Sequence, residues 1–179
     1  MRPSGYAPVP LAWHVEPGWA VDALLDGISP IVGAVWDPAC GEGTIPKACA
    51  ERGVRAIGTD LVFRGYGTGN VDFFAETKLR APNIICNPPF SRSLAWVHHA
   101  LSLGVGRLIM LEKLAFLESA RRFNDLFREH PPSYVHVHVR RVSCPPGGLG
   151  IPAQGGTVAY AWFEWGPHVS DGPLIRWLP

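Results

Sequence analysis

The stretch GAVWDPACGEGT (residues 33–44) places a short apolar run, an acidic residue and a turn with two glycines in direct succession. A short apolar run that ends at a turn is typical of a buried strand. The residues that follow, IPKACAERG (45–53), are compatible with a helix that has Pro46 in its first turn and stops at Gly53. The order of strand, glycine turn and helix predicts the first unit of a parallel α/β sheet.

The same alternation continues along the chain. Apolar runs at 55–60, 83–86 and 107–113 alternate with helical spacing at 91–103 and 115–129, and a further helix is expected from Pro17. VHVHVRR (135–141) alternates strictly and predicts a half-exposed strand at a sheet edge, before a last strand in VAYAWFEW (158–165). We therefore predict an α/β fold, a doubly wound and mostly parallel sheet with helices on both faces and a terminal antiparallel hairpin. Residues 1–12, with three prolines, predict an extended arm, and 13–179 form a single domain.

Composition excludes several classes of protein. The 179 residues suit one domain, and a net charge of +1 excludes a strongly basic nucleic-acid coat protein. The two closest cysteines, Cys40 and Cys49, are too far apart for a CxxC zinc or redox pair, so no metal site is expected. No apolar run has the length of a signal peptide or a membrane span, which predicts a cytoplasmic protein without a membrane partner.

Polar residues follow several of the predicted strands. Asp37, Asp60, Asp72 and Asn87 come at or just after strand ends, and ligands of doubly wound sheets bind beyond the carboxyl ends of the strands. The glycine turn departs from the dinucleotide fingerprint, because Pro46 stands where GxGxxG needs its third glycine. Its acidic flanks favour a cationic or zwitterionic ligand, and a carboxylate at Asp60 can accept both hydroxyls of a ribose. A tight turn without a ligand is the alternative for this loop taken alone.

The turn Asn87-Pro88-Pro89-Phe90 carries a second kind of chemistry. Two successive prolines stiffen the turn, so the Asn87 amide and the Pro88 carbonyl project as fixed acceptors that suit the two hydrogens of an NH₂ group. Phe90 offers a flat face on which a planar base can stack. Acceptors on both hydrogens favour the positive charge that grows on the nitrogen during attack. A loop that only reverses the chain is the alternative.

Taken together, DPACGEG (37–43), the strand-ending acid of GTD (58–60), DFF (72–74) and NPPF (87–90) resemble motifs I to IV of S-adenosylmethionine-dependent amino-methyltransferases. The resemblance is greatest to the phage and bacterial DNA adenine-N6 methyltransferases. It extends to 16–26, where Glu16 replaces the usual threonine, and to 107–119 and 159–166. It covers nearly the whole chain from residue 13 and implies one seven-stranded Rossmann-like domain in the cytoplasm of a bacterial or phage-infected cell.

The resemblance also implies roles for individual residues. The methyl group of S-adenosyl-L-methionine would pass directly to adenine N6 of a flipped-out base, leaving S-adenosyl-L-homocysteine. The glycine loop would hold the methionine portion with Asp37 facing its ammonium, Asp60 would bind the ribose, and Asp72 and Phe73 would border the adenine. The residues that the resemblance assigns to the cofactor are Asp37, Pro38, Ala39, Cys40, Gly41, Gly43, Asp60, Leu61, Asp72, Phe73 and Asn87. Those that it assigns to catalysis are Asn87, Pro88, Pro89 and Phe90.

The chain departs from the family in having no room for a separate target-recognition domain. The spare segment is the loop 142–157, and we expect Arg140 and Arg141 at its base to contact the backbone of a nucleic acid, the expected partner being DNA. A solvated arginine pair is the alternative. Loose sequence preference, a specificity partner and a homodimer all stay open.

Two alternative functions also stay open. One is the same chemistry on RNA, on cytosine N4 or on a protein glutamine side chain, which share the planar amine. The other is a non-catalytic subunit that only binds the cofactor.

Overall fold

The strands of this chain form one mixed sheet. The computed structural model describes residues 13–148, 158–167 and 172–179, so the arm predicted at 1–12 lies outside the described residues. Within them, seven strands lie in the order β2-β1-β3-β4-β6-β5-β7, and β6 runs antiparallel to the others. The strands are β1 (Val35–Asp37), β2 (Ala56–Gly58), β3 (Asn83–Cys86), β4 (Arg107–Lys113), β5 (Tyr134–His138), β6 (Tyr160–Trp165) and β7 (Leu174–Leu178).

Helices connect the strands and cover the sheet. The α-helices are α1 (Gly18–Gly27), α2 (Thr44–Glu51), α3 (Ser93–Ser102) and the single turn α4 (Ala120–Arg122), which continues as a π-helical turn at Phe123–Phe127. Short 3₁₀ turns occupy Phe73–Ala75, Phe90–Arg92 and Leu114–Leu117. The helix predicted at 115–129 is therefore broken, and Ser119 at the break has a φ of 151°. In the described parts of the chain, no helix has the length and apolarity needed to cross a bilayer.

Two hydrophobic cores sandwich the sheet. Alternate residues of β4 point to opposite sides: Ile109 and Leu111 pack with α1 and α2, whereas Leu108 and Met110 pack with α3. Because both faces of the central strands are covered, these strands read as continuous apolar runs rather than as alternating ones. The predicted α/β fold, with helices on both faces, a mostly parallel sheet and an antiparallel hairpin of β5 and β6, is confirmed.

The position of β5 differs from the prediction of an edge strand. β7, which the sequence did not reveal, pairs alongside it, and both His136 and His138 are buried. Their polar face is stable inside the protein because β6 supplies partners: Glu164 Oε2 lies 2.7 Å from His136 Nε2, and Trp162 donates a hydrogen bond to His138. Burial lowers the pKa of His138 to about 4, so this ring is a neutral acceptor near pH 7.

Candidate active site

A cavity of about 380 Å³ opens where the polypeptide leaves the carboxyl ends of β1, β2 and β3. Its size is within the range of small-molecule sites. The sequence-predicted residues that line it are Pro38, Ala39, Cys40, Gly41, Asp60, Leu61, Asp72, Phe73, Asn87, Pro88 and Pro89. The sequence-predicted residues that are not part of its wall are Asp37, Gly43, Phe90, Arg140 and Arg141.

The glycine loop wraps the first wall of the cavity. Gly41 and Gly43 have φ values of 51° and 86°, in the left-handed region that favours glycine. The Gly41 amide donates to Asp60 Oδ2 at 2.9 Å, which joins the loop after β1 to the acid after β2. Asp37 lies behind this loop: it is 1% exposed, and its Oδ1 accepts from the Ala39 amide at 3.1 Å.

The second wall of the cavity includes Asp60, Asp72 and Phe73, and each of them makes a different kind of contact. Asp60 also accepts from the Val62 amide at 3.0 Å, so its carboxylate orders the loop on both sides. Asp72 is exposed and caps a 3₁₀ turn by accepting from the Phe74 amide. The Phe73 ring stacks on Trp96 with centroids 4.4 Å apart and is almost fully buried, so it anchors this wall in the core.

Asn87 lies between the cavity and the N-terminal segment. Its Nδ2 donates to the His14 carbonyl at 2.9 Å and to Glu16 Oε2 at 2.8 Å. Both amide hydrogens are therefore used, while Asn87 Oδ1 is buried and has no hydrogen-bond partner among the described residues. A buried acceptor without a partner is rare in folded proteins, and here it belongs to a residue of the cavity wall.

Ser93 and Glu112 hold the proline turn in place. Ser93 follows the turn at the start of α3, and its hydroxyl contacts both Glu112 at the end of β4 and the Phe90 carbonyl. Ser93 and Glu112 are 2% and 3% exposed, and burial raises the pKa of Glu112 above its ordinary value. This contact ties the turn after β3 to the neighbouring strand.

Phe90 faces a neighbouring surface. Its ring lies 5.6 Å from His14 and 5.4 Å from Tyr160, measured between centroids, and Lys113 Nζ is 5.1 Å from its centre. These four residues form an aromatic and basic cluster beside the proline turn. Phe90 is partly exposed there, so a flat ligand could reach its ring.

The predicted arginine pair lies further along the same edge of the sheet. β5 runs parallel to β4, as expected, so Arg140 and Arg141 follow a strand end on the cavity side. Both are exposed, and the Arg140 guanidinium lies 4.6 Å from the centre of the Trp19 ring. Residues 149–157 of the predicted contact loop lie outside the described residues.

Sequence reasoning missed the roof of the cavity, which we define as residues 13–16 with 145–147. The Val15 amide donates to the Pro145 carbonyl and the Gly147 amide to the Trp13 carbonyl, each at 2.9 Å. The Arg64 guanidinium lies 3.6 Å above the Trp13 ring, which closes the roof against the loop after β2. The family resemblance drew attention to Glu16, but no local signal pairs two segments so distant in sequence.

Acidic groups dominate the electrostatics of the site. Burial raises the pKa of Glu16 to about 7, and burial together with the nearby Glu16 charge raises the pKa of Asp37 well above its ordinary value. A positive charge bound near Asp37 would favour the ionised form of its carboxyl group. Burial raises the pKa of Cys40 to about 12, so its thiol is no nucleophile. The side chains described include no group of three or more His, Cys, Asp or Glu placed to hold a metal ion.

Comparisons with known proteins return similar folds at low identity. No family model matches the chain, and no curated protein matches it. A predicted O-methyltransferase from Agrobacterium tumefaciens is 13% identical with a TM-score of 0.49, over 88% of this chain and 85% of that one. A TehB-like SAM-dependent methyltransferase from Corynebacterium glutamicum is 15% identical with a TM-score of 0.45, over 82% and 86%. The Thermus thermophilus 16S rRNA N2 G1207 methyltransferase, solved with AdoMet and guanosine, is 17% identical with a TM-score of 0.47, over 97% and 46%.

Replacing Glu16 by glutamine should stabilise the protein at neutral and higher pH. Between the ordinary pKa of 4.5 and about 7, the folded chain keeps a proton that the unfolded chain has lost, so stability falls as pH rises through this range. Glu16→Gln removes this loss, and we expect a gain of about 1 to 3 kcal/mol in the free energy of unfolding at about pH 8. Urea denaturation of both proteins at several pH values in this range measures the difference in the free energy of unfolding. Some pH dependence should persist because Asp37 remains, and equal slopes in both proteins would contradict the burial argument.

Gly43 and Gly53 form a matched pair for testing the glycine loop. Both have positive φ values, 86° and 73°, but a Cβ at Gly43 would meet the Tyr66 ring at 2.3 Å, whereas a Cβ at Gly53 meets nothing within 4 Å. Gly53→Ala should cost about 1 to 2 kcal/mol from backbone strain alone. Gly43→Ala should cost about 1 to 3 kcal/mol more, from overpacking. Equal losses in urea denaturation would mean that Tyr66 moves aside freely.

Proposed function

We propose that the protein transfers a methyl group from S-adenosyl-L-methionine to an exocyclic amine, and that this amine is adenine N6 in DNA. The observation that carries the proposal is the buried acceptor Asn87 Oδ1, which has no hydrogen-bond partner among the described residues and belongs to a residue of the cavity that the glycine loop and Asp60 also border. The motif resemblance of the sequence assigns the same two regions to an amine and to the methyl donor.

The residues around the cavity fit a donor of this kind. When bound, S-adenosylmethionine supplies a methyl group on a positively charged sulfur. The buried carboxyl group of Asp37 favours a ligand that carries positive charge. Asp60, whose oxygens each accept one backbone hydrogen bond, retains lone pairs for ribose hydroxyls. Gly41 lets the backbone come close to the ligand, and the Phe73 wall offers an apolar border.

The amine would be held at the proline turn. Asn87 Oδ1 accepts one N–H of the amine, and in the proposal the Pro88 carbonyl accepts the other. Two fixed acceptors draw the nitrogen lone pair out of the ring and stabilise the positive charge that develops as the new bond forms. Acceptors that a stiff turn holds in one position before binding need no reorganisation during the reaction, which supports this role for the proline turn. Roof residues 13–16 line the same cavity and would restrict the access of water to the amine.

The surroundings of Phe90 support a nucleic-acid base as the carrier of the amine. A base that leaves its stack could lie against the Phe90 ring, next to Lys113. Arg140 and Arg141 are exposed on the same edge of the sheet, where they could contact phosphates. If they do, replacing both by alanine reduces the salt dependence of DNA binding. An unchanged salt dependence would remove these two residues from the proposal.

A transfer assay tests the proposed function directly. The protein is incubated with methyl-labelled donor and, separately, with DNA, with RNA and with a protein extract, and labelled nucleic acid is digested to nucleosides. Label in N6-methyl-2′-deoxyadenosine from DNA is the expected result. Label in RNA, in cytosine or in glutamine would keep the chemistry and overturn the DNA adenine assignment. Donor binding without any transfer would favour a non-catalytic subunit.

Two alanine substitutions should separate turnover from donor binding. Asn87→Ala removes the free acceptor, so turnover should fall more than about tenfold while the dissociation constant of the donor changes little. Asp60→Ala removes the ribose partner and loosens the glycine loop, so it should weaken donor binding about tenfold or more. Calorimetry and initial rates measure the two effects. A defect in donor binding as the main effect of Asn87→Ala would contradict the role proposed for its amide.

A further inference from the structure

Asn87 can accept a hydrogen bond from an amine only if its amide oxygen, and not its NH₂ group, faces the amine. A carboxamide carries an acceptor on one side and a donor on the other, and half a turn about its last bond exchanges them. A donor in place of Oδ1 would repel the N–H groups of an amine. The site therefore needs an element that selects one of two orientations of nearly equal shape.

Glu16 and the His14 carbonyl supply that selection. Both are acceptors, and they lie 2.8 and 2.9 Å from Asn87 Nδ2. Turning the amide would break both hydrogen bonds and would bring Oδ1 against two oxygens. Above about pH 7, where Glu16 is ionised, its carboxylate is the stronger acceptor of the two, because hydrogen bonds to an ionised group are shorter and stronger than neutral ones.

Burying the carboxyl group of Glu16 lowers the stability of the folded chain. A residue that served only to fill space could be apolar and would avoid this loss. The side chain is 7% exposed and lies near the buried Asp37, so its charge is opposed by both burial and repulsion. An apolar side chain would avoid these costs. Thr44 at the start of α2 lines the same cavity as Glu16 and contributes to lowering the pKa of its carboxyl group, against the effect of burial.

We propose that Glu16 is a positioning residue, which holds the Asn87 amide with Oδ1 toward the amine substrate. The inference rests on the proposed function for its consequence in catalysis, but the orientation itself is a property of the free protein. The competing role for this carboxylate is direct attraction of the ammonium group of the donor, and the two roles predict different kinetic defects.

Three variants of the full chain test the proposal. Glu16→Leu removes the acceptor, Glu16→Gln retains one acceptor oxygen, and Glu51→Gln removes an exposed carboxylate of α2 as a matched control of charge. For Glu16→Leu we expect kcat to fall about tenfold or more, with the dissociation constant of S-adenosylmethionine within about threefold. Glu16→Gln should lose only about threefold in kcat, and Glu51→Gln should lose nothing measurable.

A second measurement needs no turnover. The Nδ2 protons of Asn87 are identified by NMR through their absence from the spectrum of Asn87→Ala. In Glu16→Leu these protons should shift upfield and exchange faster with water, whereas Glu16→Gln should keep most of their protection. If this holds but no amine is methylated, the proposed function fails and the positioning role stands.

Two results would overturn the positioning role. One is an Asn87 amide whose shifts and exchange are the same in Glu16→Leu as in the natural protein. The other is a Glu16→Leu protein with full kcat at saturating donor and a greatly weakened donor affinity, since this pattern belongs to a carboxylate that binds the donor.

Discussion

The amide of Asn87 is the point at which the sheet, the roof and the cavity meet. It follows β3, it donates to two acceptors of the N-terminal segment, and its oxygen is buried without a partner among the described residues. This arrangement depends on the residues that follow it: the proline turn fixes the backbone of Asn87, and Ser93 with Glu112 fixes the proline turn. The arrangement is preorganised because each of these contacts exists in the free chain.

Two buried carboxyl groups near the cavity lower the stability of the folded chain, and a cationic ligand would relieve part of this effect. Glu16 and Asp37 are buried near each other, and each holds its proton more tightly than it would in water. Cations inside the cavity would reverse this preference, because they favour the ionised forms. Unfavourable burial of ionisable groups is concentrated at sites where proteins bind ligands. Here the two hydrophobic cores on either side of the sheet offset the loss of stability.

Local patterns allowed much of the fold to be predicted, and long-range pairings were out of reach. The turn at Gly43 and the strand before it follow from neighbouring residues, as does the position of Asn87 at a strand end. The strand β5 was wrongly predicted at an edge because alternation shows which face is polar, but not that β7 would pair alongside it or that Glu164 and Trp162 of β6 would each supply one partner to that face. The cavity roof has no local signature either, since its two segments meet only after the sheet has formed.

The roof also bears on the order in which the parts of the structure form. His14 bridges Pro146, so the contact closes nearly the whole intervening chain into one loop. Closing so long a loop costs entropy that only a largely formed sheet can offset, which makes it a late event. A chain that has emerged from the ribosome only as far as β4 would carry the glycine loop and the proline turn, yet its roof segment would have nothing to pair with. The roof therefore cannot close until synthesis has passed residue 147, so a half-made copy would carry the walls of the cavity without its cover.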